Sequence, residues 1–119
     1  MKQTGKKNRE TPADVPAYVI EQEDRQGRVR LTGDLTAVLV PELQAGLRDA
    51  LSQGAQELVF DLGSVKMLDS SGIGLLIAAA NSLVRNGGKV QVTNVCPDIF
   101  RLLQSMRLTA RLNVSGRPA

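Results

Sequence analysis

Apolar and polar residues alternate near the start of the chain in a pattern that predicts a β-hairpin. Residues 17–23 (AYVIEQE) and 28–33 (RVRLTG) flank a polar turn. Val29 and Leu31 alternate with charged or hydroxyl-bearing side chains, which is the period of a strand with one buried face. We therefore expect two antiparallel strands that pack on a core through one side.

Later segments show either helical spacing or the pattern of further strands. Apolar residues at helical spacing, bounded by proline or glycine at suitable ends, predict three helices, over residues 40–54, 72–88 and 97–106. An unbroken apolar run predicts a fully buried strand and a second alternating run predicts another, over residues 57–62 and 89–95. Residues 110–114 (ARLNV) favour a short last strand.

The resulting order, β-β-α-β-α-β-α-β, predicts a single α/β domain over residues 17–114. Strands joined through helices need crossover connections, so we expect a mostly parallel or mixed β-sheet packed with helices. Residues 1–16 hold four basic and two acidic side chains and few apolar ones. We expect them to form a disordered basic tail, and residues 115–119 to be a flexible C-terminus.

Composition and charge narrow the class of function. The 119 residues carry a formal net charge of +3, mostly in that tail, and three aromatic residues, which argues against nucleic-acid binding. The chain has no histidine, the usual general base and commonest zinc ligand. We therefore expect no enzyme activity, no metal and no cofactor. No apolar segment reaches the roughly 20 residues of a membrane span, and the single Cys96 suits a reducing compartment. These features predict a cytoplasmic protein without direct membrane insertion.

A turn with two adjacent serines lies between the predicted buried strand and the second helix. Its residues, Asp69, Ser70, Ser71 and Gly72, are expected at the carboxyl edge of the sheet, where α/β folds place functional loops. Aspartate and serine are also preferred helix N-caps, so a purely structural role is the simplest interpretation. One cap needs one side-chain oxygen, however, so at least one hydroxyl has no structural task.

The helical wheel of the second helix predicts a core side and an outer side. The expected core residues are Ile73, Leu76, Ile77, Ala80, Leu83 and Val84. The opposite side holds Ser71, Leu75, Ala78 and Ser82, a strip without charges that predicts a docking surface. Gly72 and Gly74 in the first turn would let another protein approach the backbone. A phosphate on Ser71 would bring about −1.5 to −2 charge into this surface and could eject a docked partner.

Three segments together resemble a STAS domain, and more narrowly the bacterial anti-sigma factor antagonists. They are GDL at residues 33–35, VFDL at 59–62 and DSSGIG at 69–74. The resemblance covers residues 17–114 and implies a mixed sheet packed with helices. It also implies a partner switch that binds an anti-sigma factor and thereby frees a sigma factor.

The resemblance further implies which residues act and with which partners. In the family, the serine before the glycine is phosphorylated by the anti-sigma factor, an ATP-binding serine kinase, and a serine phosphatase reverses this step. That serine corresponds to Ser71, while Asp69 and Ser70 match flanking positions and Asp34 matches a nearby acidic position. The expected partner-binding set is Asp34, Asp69, Ser70, Ser71, Gly72, Leu75, Ala78 and Ser82.

Two other functions remain open at this level. The chain could be a constitutive STAS scaffold subunit of a transporter or lipid-trafficking complex, with serines that only cap a helix. It could also be a sensor of a small ligand or nucleotide, although no complete phosphate-binding motif is present. Cys96 is expected to be a small core residue, and Asp34, Asp61 and Asp69 to be solvated loop acids rather than metal ligands.

Overall fold

A computed structural model describes residues 16–117 of the chain and confirms the predicted order of elements. The predicted tail lies outside the described residues except for Pro16. The elements are β1 (Tyr18–Glu23), β2 (Gln26–Leu31), α1 (Val40–Ser52), β3 (Glu57–Asp61), α2 (Ser70–Arg85), β4 (Lys89–Val95), α3 (Pro97–Ser105) and β5 (Val114–Gly116).

The five strands form one mixed sheet in the order β1-β2-β3-β4-β5. Strands β1 and β2 pair as the predicted antiparallel hairpin, and every later pair is parallel. Parallel neighbours need crossovers, which α1, α2 and α3 supply in turn. As a result, β2, β3 and β4 all point their carboxyl ends at the same edge of the sheet.

The core lies on one face of this sheet. Alternate side chains of the three central strands are almost completely buried there, namely Val29, Leu31, Leu58, Phe60, Val90 and Val92. On the opposite face, Val59 is buried, but its neighbours are exposed or half-buried and mostly polar, including Arg28, Arg30, Gln91 and Thr93. The helices therefore cover a single face, and the other face of the sheet is polar.

The predicted core side of helix α2 is partly confirmed, because four of its six residues are buried, namely Ile73, Leu76, Ala80 and Leu83. Leu75, expected on the outer surface, is only 6% exposed, whereas Val84, expected in the core, is 66% exposed. The helix contacts α1 as well as the sheet, so its buried arc is rotated by roughly 60° from the wheel of apolar residues. Contact with a second helix selects which apolar side chains are covered.

The C-terminal end extends further into the sheet than predicted. Residues 106–113 form turns that bury Leu108 and Leu112, and β5 follows them. Residues 115 and 116 therefore lie in a strand and not in the expected flexible end, and the Arg117 amide donates to the Val95 carbonyl at 3.1 Å. Residues 118 and 119 lie outside the described residues.

Candidate functional site

Two loops meet at the carboxyl edge of the sheet. Residues 32–39 connect β2 to α1, and residues 62–69 connect β3 to α2. The Leu35 amide donates to the Met67 carbonyl at 3.1 Å, and the Asp69 amide donates to the Leu35 carbonyl at 3.3 Å. Leu35 and Leu68 form a parallel bridge. The two loops thus continue the pairing of the sheet beyond the ends of its strands.

Two carboxylates, one on each loop, accept hydrogen bonds from backbone amides of the opposite loop. Asp34 Oδ1, on the first loop, accepts the amides of Lys66 and Met67 on the second loop at 2.9 and 3.0 Å. Asp69 Oδ2, on the second loop, accepts the amide of Ala37 on the first at 2.9 Å. We call this pair the aspartate clamp. Because each carboxylate binds backbone amides of the other loop, the clamp fixes the position of the turn that follows.

Asp69 is also the N-cap of α2. Its Oδ1 accepts the Gly72 amide at 2.9 Å, which satisfies one of the free amides at the start of a helix. The hydrogen bond from the Gly72 amide, followed by that from the Ala37 amide, holds the pKa of Asp69 below its ordinary value. The capping task that either serine could have performed is therefore carried out by the aspartate.

Both serines face solvent at the first turn of α2. Ser70 and Ser71 are exposed, and their hydroxyls have no hydrogen-bond partner among residues 16–117. Helix α2 begins at Ser70, so Ser71 lies where the amides of the first turn point outward and favour an anion. Each hydroxyl is thus accessible to another protein without any rearrangement of the turn.

The two glycines of this turn have different roles. A Cβ atom on Gly72 would lie 2.5 Å from the Leu35 carbonyl oxygen, whereas one on Gly74 would have nothing within 4 Å. The expectation that Gly72 lets another protein approach the backbone is therefore wrong, because Gly72 is buried against the first loop of its own chain. Gly74 is exposed and does leave open space on the outer side of α2.

The outward-facing side of α2 differs from the predicted strip. It consists of seven exposed residues, with Ser82 half-buried at its margin: Ser70, Ser71, Gly74, Ala78, Asn81, Val84 and Arg85. The structure places Ser71 and Ala78 together on this side, with Ser70 and the aspartate clamp at its head. Leu75, which the wheel assigned to the same strip, lies in the core.

Two apolar residues beside the serines were missed by the sequence analysis. Val38 on the first loop is 91% exposed and Met67 on the second is 58% exposed. Val38 belongs to the apolar run AVLVP that leads into α1, so its pattern gave no sign that it would leave the core. Asp34 and Glu42 flank a shallow cleft of about 330 Å³ that Val38 also lines.

Comparison with known proteins identifies the family. The profile of the family described as "Mlab, STAS domain" matches residues 19–114, most of the chain. The chain belongs to the STAS domain family. This STAS domain is 27% identical over 93 residues to the Anti-sigma-B factor antagonist of Staphylococcus aureus, an alignment that spans 78% of this chain and 86% of that protein.

Solved structures share the fold of this STAS domain. A putative anti-sigma factor antagonist from Thermotoga maritima matches with a TM-score of 0.76 at 16% identity, over 82% of this chain and 84% of that one. The Bacillus cell fate determinant SpoIIAA in its phosphorylated form matches with a TM-score of 0.71 at 21% identity, over 86% and 92%. The predicted α/β fold with its mixed sheet is therefore confirmed.

The described part of this STAS domain contains neither a cluster of metal ligands nor a membrane-spanning helix. Among residues 16–117, no group of three or more cysteine or acidic side chains is arranged to hold a metal ion. Asp61 instead accepts the Gly63 amide at 2.9 Å and the Asn94 side-chain amide at 3.3 Å. No helix in the same residues is long and apolar enough to cross a membrane. Cys96 is half-buried at the start of α3.

Proposed function

We propose that this STAS domain is an anti-sigma factor antagonist whose binding is switched by phosphorylation of Ser71. The observation that carries the proposal is the exposed Ser71 at the start of α2, which the aspartate clamp holds and whose hydroxyl has no hydrogen-bond partner among residues 16–117. The relative in Staphylococcus aureus is named an Anti-sigma-B factor antagonist, which supports the same function. In this role the chain is a cytoplasmic binding protein and catalyses no reaction itself.

The proposed partner is an anti-sigma factor that is also an ATP-binding serine kinase. In the transfer step, Ser71 Oγ bonds to the γ-phosphorus of ATP, the bond from that phosphorus to the β–γ bridging oxygen breaks, and ADP leaves. The hydroxyl proton passes to a base that the kinase supplies. A serine phosphatase removes the phosphate by hydrolysis and returns the antagonist to its binding form.

Electrostatics explain how the phosphate would act on binding and not on folding. The phosphoryl group adds about −1.5 to −2 charge, and the outward amides of the first turn of α2 stabilise that charge in the free protein. A docked partner would have to desolvate the phosphate beside the Asp69 carboxylate, which raises the free energy of the complex. Phosphorylation is therefore expected to release the partner while the fold stays intact.

The first test is to map phosphate on protein isolated from its own cells. Trypsin releases residues 67–85 as one peptide, which holds Ser70, Ser71 and Ser82, and fragment masses distinguish the three. Phosphate on Ser71 that varies with growth or stress conditions supports the switch. Its absence from Ser71 under all of these conditions contradicts the switch.

Two substitutions test the consequence for binding. Ser71→Ala should retain the anti-sigma factor permanently, and Ser71→Asp should weaken its binding. Ser105→Ala is the matched control, because it removes an exposed serine at the end of α3, outside the predicted partner-binding set, and should bind and be phosphorylated at Ser71 like the wild type. If both Ser71 variants bound the partner like the wild type, the switch would be wrong.

A constitutive scaffold is the second candidate, because the fold also occurs in a membrane transporter. Murine Solute Carrier 26 family member A9, an anion transporter, matches 82% of this chain with a TM-score of 0.66 at 12% identity, over 17% of its own length. Under this alternative the protein co-purifies with a membrane complex whatever residue occupies position 71. Copurification that Ser71→Asp abolishes supports the switch instead.

A further inference from the structure

We infer that the kinase partner binds this domain beside Ser71 mainly through apolar contacts with Val38 and Met67. We call these two residues the anchors. This inference rests on the proposed function and identifies contact residues that neither the motif nor the helical wheel suggested. Both side chains lie at the carboxyl edge of the sheet, one on each of the loops that the aspartate clamp joins.

The clamp brings the two anchors close to the phosphoacceptor from different parts of the chain. Ala37, the neighbour of Val38, donates its amide to Asp69, which lies two residues before Ser71. Met67 precedes Ser71 by four residues, so their Cα atoms are at most roughly 14 Å apart. The Met67 amide is held by Asp34 from the first loop at 3.0 Å. Val38 and Met67 therefore lie on two loops that the clamp holds together.

A kinase that phosphorylates Ser71 must cover the surface around it. The γ-phosphate of ATP has to reach Ser71 Oγ in line with the departing ADP, and water has to be excluded from the site. A protein interface of ordinary size occupies about 800 Å² on each partner, which corresponds to a radius of roughly 16 Å. An interface centred on Ser71 therefore includes Met67, and it reaches the first loop next to Val38, because the Ala37 amide is bonded to Asp69.

Among the apolar residues of these two loops, Val38 and Met67 are the large side chains left exposed. Single exposed apolar side chains are common on soluble proteins, but Val38 is the most exposed large hydrophobic residue described, at 91%. The other groups around Ser71 have less to offer an apolar contact, because Asp34 and Asp69 accept backbone amides and Leu75 is buried. Covering Val38 and Met67 is thus the main gain in apolar burial available to a partner here.

The test measures Ser71 phosphate in cells that express Val38→Ser, Met67→Ser or the double variant in place of the wild type. The matched control is Val84→Ser, since Val84 is an exposed apolar residue near the far end of α2. Each anchor variant should lower phosphate occupancy at Ser71 by about tenfold, and the double variant by more. Val84→Ser should keep the occupancy of the wild type. Thermal unfolding of each purified variant checks that the fold is retained.

The outcomes separate this inference from the function on which it rests. If the wild type carries Ser71 phosphate and folded anchor variants carry as much, Val38 and Met67 are not anchors while the switch stands. An equal loss in Val84→Ser also overturns the inference, because the effect would not be local to the loops. If the wild type never carries phosphate on Ser71, the proposed function fails and the inference fails with it.

Discussion

The two edges of the sheet connect strands to neighbouring segments in different ways. At the amino edge, the Gln56 and Glu57 amides donate to the Arg25 carbonyl, and the Lys89 amide donates to the Gln56 carbonyl. Side chains there bond to one another: Arg25 donates to Gln56 at 3.2 Å, and Lys89 lies 3.8 Å from Glu57. At the carboxyl edge, the carboxylates of the clamp bind backbone amides instead.

This difference favours the carboxyl edge as the site of the proposed binding. At the amino edge, acidic and basic side chains line an open cleft of about 560 Å³, and Lys89 lies 3.8 Å from Glu57 within it. At the carboxyl edge, the clamp uses the carboxylates internally and leaves two serine hydroxyls, Val38 and Met67 facing solvent. The proposed phosphate on Ser71 would lie near these uncovered apolar side chains, which suits regulated binding, whereas an exposed ion pair such as Lys89–Glu57 contributes little to it.

The largest effect is expected at glycines where backbone segments touch. Gly72→Ala should destabilise the fold by about 3 kcal/mol, because its Cβ would meet the Leu35 carbonyl oxygen, which is held by the pairing of the loops. Gly88→Ala should do the same at the amino edge, where the Cβ would lie 2.0 Å from the Gln56 carbonyl oxygen. Urea unfolding measures both changes in free energy.

Gly74→Ala is the control for this prediction. Nothing lies within 4 Å of the added Cβ, and alanine favours a helix over glycine by about 1 kcal/mol. The variant should therefore be slightly more stable than the wild type. A loss of stability at Gly74 as large as that at Gly72 would contradict the close approach described for Gly72.

The next largest loss of stability is expected for Asp34 at the carboxyl edge, and it should exceed the loss for Glu57 at the amino edge. Asp34→Ala removes the acceptor of two backbone amides and should cost about 1–2 kcal/mol. Asp34→Asn keeps an acceptor oxygen and should recover most of this loss. Glu57→Ala should cost less than about 1 kcal/mol, because its partners are the side chains of Gln26 and Gln91, which water can satisfy. Chemical denaturation of the three variants measures their free energies of unfolding. Equal losses for Asp34→Ala and Glu57→Ala would contradict the prediction.

A smaller, pH-dependent effect is expected at Asp69. Because its pKa is lowered in the folded state, the folded protein binds this proton more weakly than the unfolded chain does. The stabilisation is complete above the ordinary aspartate pKa of about 3.9 and is lost as the pH falls through the lower folded value. The stability advantage of the wild type over Asp69→Asn should therefore shrink as the pH falls from 5 to 3, measured by urea unfolding. If the wild type kept the same stability advantage over Asp69→Asn throughout this range, the lowered pKa of Asp69 in the folded protein would be contradicted.

The smallest effect is expected at the amino-edge ion pair. Lys89 and Glu57 lie 3.8 Å apart, and the lysine side chain is largely exposed. Lys89→Ala should therefore change the free energy of unfolding by less than about 0.5 kcal/mol. It should also leave phosphate on Ser71 unchanged, which the peptide of residues 67–85 measures. A loss of that phosphate in Lys89→Ala would extend the binding surface to the amino edge.

The fold was largely predictable because its patterns are local. The alternation of Val29 and Leu31, the unbroken apolar run before Asp61 and the helical spacing after Gly72 each reflect a single element and its period. The predicted start of α2 was late by two residues, because Asp69 and not a serine caps the helix. The last strand was placed too early, since the turns of residues 106–113 bury two leucines and so resemble a strand in sequence.

The sequence by itself determined the order of elements, the mixed α/β fold and the presence of a serine turn at the carboxyl edge. Only the tertiary structure decided which residues in and around that turn are buried, which are hydrogen-bonded and which stay exposed. Leu75 is buried in the core, the loop at Leu35 fills the space beside Gly72, and the clamp engages Asp34 and Asp69. These contacts join residues about thirty positions apart, and neither local periodicity nor composition encodes which partners meet. What remains uncovered after they form is the surface of Ser71, Val38 and Met67.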